Sequence, residues 1–485
     1  MAGRRALLPP TLLAAATLAV ALLPLVPLRA AAAAPRVLTL EGIDKVTGLQ
    51  RADTNQDGII DLLLLSGRRL HVWGATRAAD SEERRVAATP RASWEVPADV
   101  SFATGRPLAA QRGTPQGDDV AFLGKAGWRM GSEGAGQASS LLPPEARAAG
   151  LSWRDNEQLT FTDCWRDADN FLIPTADGWL HASGYRLRIP RTFRVKAPGP
   201  FLEDTCTIEH GLPQAYVGAG GLWAIADRKL INEGPQGRVT YDVAFLGAGE
   251  GGTYDQTLVD LDGDRRPEIL HRIYTNRQVH YGFFRTQAAT GTTGPSHKPA
   301  NCRLSLQGFQ LDPQFVDLNA DGRLDLVITS MQVNAANMVA ALSKGKIVAE
   351  TRAFLNKSAG SGTYFRDTPD ALVKSEIGVK VRFDQAGNIE VVRTLMIVTD
   401  GDFDGDGRKD LAIRTGPDTI RIHAGRAAGV WAPEAEARAV AIPPIGRSPD
   451  IEGYAMDLDG DRKDEFVLVY RAPSGGKDVV RIIAP

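Results

Sequence analysis

Five short segments of this 485-residue chain carry acidic or amide side chains at one regular spacing. In each, an aspartate is followed by Asp or Asn two residues later, by Asp after four and by an acid after eight, which we call offsets 0, 2, 4 and 8. Four such side chains in one short loop would repel each other without a counter-ion, so the spacing predicts cages for a hard divalent cation. The predicted ligands are Asp53, Asn55, Asp57, Asp61, Asp260, Asp262, Asp264, Glu268, Asp317, Asn319, Asp321, Asp325, Asp402, Asp404, Asp406, Asp410, Asp457, Asp459, Asp461 and Glu465.

Calcium fits these cages best, because it prefers about 6–8 oxygen ligands and binds in all-protein oxygen sites more readily than magnesium, the alternative ion. The backbone carbonyl at offset 6 would add one more ligand in each loop. One such segment could be a solvated turn, but five recurrences argue against that. An EF-hand does not fit, since its closing glutamate comes later and helices flank its loop. We therefore expect about five structural calcium sites.

The bend inside each loop needs unusual backbone angles. Gly58, Gly322 and Gly407 occupy offset 5, where glycine tolerates a positive φ. Arg265 and Arg462 take that place in the other two loops, and we expect some backbone strain or a slightly different bend there.

Each acidic loop runs directly into apolar residues of strand type, and a tight turn and a second strand follow. Weaker copies of the pattern, near residues 113, 163 and 208, bring the number of repeat starts to eight, mostly 45 to 60 residues apart. Such spacing predicts an all-β fold, a β-propeller of seven or eight four-stranded blades with calcium-binding loops. The longer interval after residue 317 predicts an irregular insertion at about 333–392. Val37 to Leu40 could complete a blade that the C-terminal strands begin.

The pattern DxDxDGxxD before an apolar strand resembles the FG-GAP and VCBS repeats of integrin-α-like propellers. The segment FLNKSAGSGTYFRDTPDAL from Phe354 is similar to the segment linking such repeats in bacterial VCBS proteins. The resemblance covers nearly everything after residue 35 and implies structural calcium on the blade loops and a role in binding proteins or glycans. The copies near 113 and 208 lack the acids, so we predict no metal site in them. Asp163 and Asp167 give a doubtful sixth site.

The N-terminus predicts export. Residues 1–34 combine Arg4 and Arg5, a largely apolar run from Leu12 to Leu28 and small residues before a cleavage point, which together are typical of a secretory signal peptide. An uncleaved anchor is the alternative. Residues 35–485 would then form the propeller, periplasmic or secreted, with no membrane span after cleavage. Cys164, Cys206 and Cys302 allow one disulfide in any of three pairings, or none.

The near balance of 56 basic and 58 acidic residues gives no argument for nucleic acid as a partner. We found no nucleophile elbow, HExxH or phosphate loop, so we do not expect an enzyme. The leading interpretation is an exported binding or scaffold module for protein or cell-surface partners, of unknown ligand and oligomeric state. A carbohydrate-active propeller, either a lectin or a polysaccharide lyase, is the alternative, with Trp73, Trp179, Trp223 and Trp431 as candidate sugar platforms.

Four histidines occupy matching places in the second strand after a loop. They could line a surface that binds metal or an anionic ligand, or they could simply be semi-polar residues that this strand accepts. The four are His71, His181, His280 and His423.

Overall fold

A computed structural model describes the chain from residue 35, with gaps. It covers 35–96 except 56 and 78–83, isolated strands between 100 and 242, and 253–485 except 265, 276–277, 288–293, 296–301, 333, 359–362, 384–388, 394–395, 428–429, 445–449 and 473–475. The predicted signal peptide, 1–34, and the doubtful site at Asp163 and Asp167 lie outside the described residues.

The described chain is built almost entirely of antiparallel strands. In the first half they are β1 (Arg36–Thr39), β2 (Val46–Ala52), β3 (Asp61–Ser66), β4 (Arg69–Trp73), β5 (Ala75–Arg77), β6 (Arg84–Val86), β7 (Ala92–Glu95), β8 (Val100–Thr104), β9 (Val120–Gly124), β10 (Gly127–Gly131), β11 (Thr160–Phe161), β12 (Leu172–Thr175), β13 (Gly178–His181), β14 (Arg186–Arg188), β15 (Ala215–Gly218), β16 (Gly221–Ala226), β17 (Lys229–Gly234) and β18 (Gly237–Asp242).

The second half continues the pattern and adds one helix, α1 (Ala335–Lys344), and a 3-10 turn (Glu434–Glu436). Its strands are β19 (Thr253–Val259), β20 (Glu268–Tyr274), β21 (Gln278–Phe284), β22 (Thr286–Gln287), β23 (Gly294–Pro295), β24 (Cys302–Gln307), β25 (Phe309–Gln310), β26 (Gln314–Val316), β27 (Asp325–Met331), β28 (Lys346–Phe354), β29 (Ala371–Phe383), β30 (Ile389–Arg393), β31 (Ile397–Gly401), β32 (Asp410–Arg414), β33 (Thr419–His423), β34 (Arg438–Ala441), β35 (Asp450–Met456), β36 (Glu465–Arg471) and β37 (Val479–Ala484).

Among the described strands, eight sheets have three or more members, and two ribbons, β5–β6 and β22–β23, stand apart. We number the sheets 1 to 8 in chain order: β2-β3-β4-β7, β10-β9-β8-β11, β12-β13-β14, β15-β16-β17-β18, β19-β20-β21-β24, the β25–β30 sheet, β31-β32-β33-β34, and β1-β37-β36-β35. Strand β11 pairs parallel with β8, and the other sheet pairs are antiparallel. The all-β expectation is confirmed.

Sheet 8 joins the two ends of the described chain, as the sequence predicted. Strand β1 pairs with β37, with Val37 opposite Ile483 and Leu38 opposite Ile482. Asp478 strengthens this junction, since its carboxylate accepts the Val46 N–H at 2.9 Å and an ion pair from Lys45 at 3.0 Å. Residues Arg36–Pro485 form one compact unit.

The second strand of each well-described sheet is buried on both faces. Every side chain of β3, β27 and β32 is buried, which explains why these strands are mainly apolar after their first acid. The cores lie between consecutive sheets. They join sheet 4 to 5 (Trp223 with Leu258), 5 to 6 (Phe283 with Phe354), 6 to 7 (Val327 with Leu411), 7 to 8 (Ala412 with Phe466) and 8 to 1 (Val467 with Leu62).

The described residues of the segment 333–392, where we expected an irregular insertion, include helix α1 and strands β28, β29 and β30. Asn334 caps the N-terminus of α1 by accepting the Asn337 N–H at 2.9 Å, and Gly345 ends the helix with φ at 63°. The helix packs on β28 and β29, and β30 pairs with the far end of β29 to extend sheet 6. Within the described residues, no helix has the length and apolar character that crossing a membrane would require.

Candidate metal sites

The acidic loops all occupy the same kind of place in sheets 1, 5, 6, 7 and 8, since each joins two consecutive paired strands: β2 and β3, β19 and β20, β26 and β27, β31 and β32, and β35 and β36. We name them loop 1 (53–61), loop 2 (260–268), loop 3 (317–325), loop 4 (402–410) and loop 5 (457–465). The acid at offset 8 is the first residue of the second strand in every loop: Asp61, Glu268, Asp325, Asp410 and Glu465.

The carboxylate at offset 0 organises the loop backbone. It accepts the backbone N–H at offset 5 in four loops, from Gly58 at 2.9 Å, Gly322 and Gly407 at 2.8 Å, and Arg462 at 3.0 Å. Offset 5 has positive φ in these four loops, 79° at Gly58 and 71° at Arg462. The predicted unusual backbone at Arg462 is therefore confirmed, whereas Arg265 lies outside the described residues.

Offset 3 is a second left-handed position, which the sequence analysis missed. Gly263, Gly405 and Gly460 have φ of 75°, 79° and 80° there, and Ala320 has 57°. The glycines at this offset were a visible signal for the bend.

The offset-8 acids are buried and each is anchored to its own loop. One carboxylate oxygen accepts the backbone N–H at offset 1 in all five loops, with distances of 2.8 to 2.9 Å, from Thr54, Leu261, Leu318, Phe403 and Leu458. The exposed fractions of Glu268 and Asp325 are 0%. This contact closes the loop against the strand that follows it.

Three loops gather their carboxylates as a metal site requires. Ligand oxygens at offsets 0, 2 and 8 lie within 4.8 Å of one another in loops 2, 4 and 5, the groups being Asp260–Asp262–Glu268, Asp402–Asp404–Asp410 and Asp457–Asp459–Glu465. In loops 1 and 3, Asn55 and Asn319 occupy offset 2, so each of these loops has an acid only at offsets 0 and 8 of the three.

The acids at offset 4, which we also predicted as ligands, lie outside these close groups. In each loop this carboxylate accepts the N–H at offset 6, for example Asp406 from Arg408 at 2.9 Å and Asp461 from Lys463 at 2.8 Å. The other three are Asp57, Asp264 and Asp321. Offset 4 therefore also braces the loop, and the closest group of carboxylate oxygens in loops 2, 4 and 5 comes from offsets 0, 2 and 8.

Burial raises the pKa of the offset-8 acids. The pKa of Glu268 rises to about 8 and that of Glu465 to about 8, chiefly by desolvation. The pKa values of Asp325 and Asp410 rise to about 6, and that of Asp61 rises, for the same reason. Neighbouring carboxylates of the loop push in the same direction in loops 2 to 5, so a cation among them would favour the ionised forms.

Glu268 gives a direct test of whether a cation fits. Its Oε2 accepts the Leu261 N–H at 2.8 Å, but its buried Oε1 has no hydrogen-bond partner among the described residues. The Tyr364 hydroxyl lies beside this carboxyl and opposes the rise in its pKa. A buried carboxylate oxygen next to two further acids suits a metal ligand.

The loops differ in how much positive charge the protein itself supplies. In loop 1, Arg91 contacts both oxygens of Asp61, at 3.2 and 3.0 Å, and in loop 2, Arg285 pairs with Asp262 at 2.7 Å. In loops 3 to 5, no Lys or Arg in the described ranges makes an ion pair with an acid at offset 0, 2 or 8; Arg323 and Arg408 pair only with offset 4. Loops 4 and 5 thus combine three grouped carboxylates with no ion pair to a described Lys or Arg, although Arg438 and Arg36, from a greater distance, oppose the rise that burial causes in the pKa values of Asp404 and Asp459.

Neighbouring loops are hydrogen-bonded to each other. Asp464 of loop 5 accepts the Asp402 N–H of loop 4 at 2.7 Å, and its own N–H donates to the Asp402 carbonyl at 2.8 Å. Loops 2 and 3 are joined in a related way, since the Leu324 N–H donates to the Leu261 carbonyl at 3.3 Å. The acidic loops therefore adjoin where their sheets pack together.

Of the three matching histidines whose side chains are described, two are buried and do not line an exposed surface. His71 and His423 are buried, and their Nδ1 atoms contact Ser93 Oγ at 2.8 Å and the Ala432 carbonyl at 2.9 Å. His280 Nδ1 lies 2.8 Å from Ser305 Oγ, and the side chain of His181 is outside the described residues. The structure favours the interpretation that this strand accepts a semi-polar residue.

Three of the candidate sugar platforms are core residues: Trp73, Trp223 and Trp431 are at most 6% exposed. The side chain of Trp179 is not among those described.

Cys302 is a buried free thiol that contacts the Phe365 carbonyl at 3.2 Å. Of the three disulfide pairings, only Cys164 with Cys206 is left open, and both of these residues lie outside the described chain.

No protein-family model matches this chain, and neither does any curated protein. Among solved structures, it is similar to BBS1N in complex with ARL6DN, at 7% identity and a TM-score of 0.37 over 92% of this chain and 94% of that one. It is also similar to an N-acetylglucosamine-recognising lectin of Agrocybe aegerita, at 16% identity and a TM-score of 0.37 over 82% of this chain and 80% of that one. The V. cholerae biofilm matrix protein Bap1 is similar at 12% identity and a TM-score of 0.29 over 93% of this chain and 88% of that one. At these scores none indicates the family, activity or partner of this chain.

Proposed function

We propose that this chain is an exported, calcium-stabilised β-propeller of the FG-GAP or VCBS type that serves as a binding or scaffold module for protein or cell-surface partners. The sheets would be its blades. The observation that carries the proposal is that five acidic loops occupy the same strand junction in sheets that pack consecutively. Sheet 8, which both ends of the described chain build together, supports closure of a ring.

Calcium would be held at offsets 0, 2 and 8, with further oxygens from the loop and from water. The bound ion would neutralise the buried acids and tie each first strand to its second strand. Because such an ion binds only the folded chain, it stabilises that chain by about 2.7 kcal/mol when its concentration is 100 times the dissociation constant. The role is structural, and it makes the partner-binding surface depend on calcium.

Thermal melting with and without a chelator, together with a count of bound metal, tests the calcium part of the proposal. Wild type should melt at a clearly lower temperature in chelator, and calcium should restore it better than equal magnesium. Asp402→Asn should lose one ion. The control Asp418→Asn alters an exposed aspartate in the same sheet, outside any acidic loop, and should keep the full count. An unchanged melting temperature in chelator would contradict the proposal.

The binding role needs a separate test. The segment 333–392 is the first place to look for a partner-binding surface, because it exposes Val339 and Leu342 of α1, at 63% and 53%. A glycan array and digestion of polyuronates, each with calcium, separate a protein-binding module from a lectin or a lyase. We expect neither array binding nor product release. A calcium-dependent signal in either assay would replace the scaffold role with the corresponding carbohydrate function.

A further inference from the structure

A buried arginine lies at the end of sheet 7 remote from its acidic loop. Strand β32 begins at Asp410, which closes loop 4, and ends at Arg414, which is 3% exposed. Its Nε donates to the Gly416 carbonyl at 3.0 Å and its Nη2 to the Pro417 carbonyl at 3.3 Å. Its buried Nη1 has no hydrogen-bond partner among the described residues.

Arg414 also has no carboxylate partner within ion-pair distance in the described part of the chain. Burying a guanidinium without an ion pair is costly, because the charge loses its hydration and two neutral carbonyls replace only part of it. The nearest acid acting on it, Asp450, is exposed to solvent. The other acids of this region are already engaged, since Glu452 and Asp478 both pair with Arg471.

Sheet 8 contributes a second arginine, Arg481, which also has a guanidinium nitrogen without a hydrogen-bond partner among the described residues. The Arg481 guanidinium lies 5.3 Å from the centre of the Tyr470 ring, and its Nη1 donates to the Pro443 carbonyl at 2.7 Å. Its Nε is buried without a partner among the described residues, and no described carboxylate forms an ion pair with it.

The two arginines belong to one cluster. Tyr470 donates its hydroxyl to the Pro443 carbonyl at 3.1 Å, and the adjoining Ile442 N–H donates to the Asp418 carbonyl, next to Pro417, at 2.8 Å. Burial raises the pKa of Tyr470, and the charges of Arg481 and Arg414 both oppose that rise, which places both cations near the ring. Among the described residues, the cluster thus has two positive charges, two guanidinium nitrogens without an acceptor and no carboxylate in ion-pair contact with either arginine.

We propose that Arg414 and Arg481 bind an oxyanion beside Tyr470, between sheets 7 and 8. Guanidinium groups match the planar and tetrahedral oxygens of carboxylates and phosphates, and charge-assisted hydrogen bonds of this kind are stronger than neutral ones. Bound there, an oxyanion supplies both the missing acceptor for each free N–H and the missing counter-charge. The site is independent of the acidic loops and stands whether or not they bind calcium.

Calorimetric titration of the full chain tests this site, with inorganic phosphate and acetate as separate probes at constant ionic strength and free calcium removed beforehand. We expect saturable binding of one oxyanion per chain, and the preferred probe identifies phosphate or carboxylate as the ligand chemistry. Arg414→Met and Arg481→Met should each weaken binding about tenfold or more, as loss of a charged hydrogen bond does. The control Arg421→Met removes an arginine of sheet 7 that already pairs with Glu434, and should bind as wild type does.

Absence of saturable binding by either probe would overturn the proposal and assign the free N–H groups to buried water. Equal binding by wild type and Arg414→Met would also overturn it. If Arg414→Met does not fold, Arg481→Met carries the test, because Arg481 is only partly buried. In that case, unchanged affinity in Arg481→Met overturns the proposal.

Discussion

Calcium binding should release protons at neutral pH, because burial keeps two of the closing acids protonated in the metal-free protein. With a pKa of about 8, Glu268 and Glu465 each hold about 0.9 proton at pH 7, and a cation that requires their ionised forms must displace it. Asp325 and Asp410, with pKa values of about 6, contribute only about 0.1 proton each. Saturation at pH 7 should therefore release about two protons per chain.

Calorimetry in two buffers of different ionisation enthalpy measures this release. At pH 9 it should fall to about 0.2 proton, since both glutamates are then mostly ionised before calcium arrives. Glu268→Gln should reduce the release at pH 7 by about 0.9 proton, whereas the exposed control Glu376→Gln should not change it. Calcium binding at pH 7 without proton release would refute the reasoning that desolvation governs these carboxyls.

Three further predictions concern the loop backbone, the contact between loops 4 and 5, and the core between sheets 5 and 6. Gly407→Ala should lower the free energy of unfolding by about 1 kcal/mol or more in denaturant titration, because φ is +83° there, while Gly416→Ala, with only ordinary contacts, should stay within about 0.5 kcal/mol. Asp464→Ala should weaken calcium binding in calorimetry at both loop 4 and loop 5, since it frees the Asp402 N–H; a loss confined to one loop would show that the loops are independent. Phe354→Ala should cost about 3–5 kcal/mol, measured by thermal melting, because this side chain is fully buried between sheets 5 and 6.

The metal-free protein should also lose stability as pH rises. The folded pKa of Glu268 is raised above the ordinary value of 4.5, so the folded state holds a proton that the unfolded chain releases. This stabilisation is fully present below about pH 4.5 and is lost as pH rises through about 8. Melting in chelator at pH 5 and pH 8.5 measures it, and a higher melting temperature at pH 8.5 would contradict the sign.

Most of the structural features that could be predicted from the sequence are encoded by residues close together in the chain. The acidic loops and the strands after them are set within about a dozen residues, so Asp61 and Asp410 could be placed at strand starts without a structure. Helix α1 was also readable, because Asn334 and Gly345 are typical cap residues at its two ends, but our search for a long apolar period passed over a helix this short.

Contacts between distant residues could not be predicted. Arg91 lies 30 residues from Asp61, and Asp464 lies 62 from Asp402, so no local spacing indicates either pair. The bracing role of offset 4 depends on which way Asp406 and its counterparts turn, which spacing alone does not fix. The burial of Arg414 follows from the packing of sheet 7 against sheet 8, and the sequence shows only an arginine at a strand end.

The central claim is that loops 4 and 5 hold a hard divalent cation among their grouped carboxylates, and a crystal structure grown in millimolar calcium tests it most directly. The account predicts anomalous density about 2.3–2.6 Å from the oxygens of Asp402, Asp404 and Asp410, and a second peak in loop 5. Ordered loops with water or lysine nitrogen at both positions would contradict it.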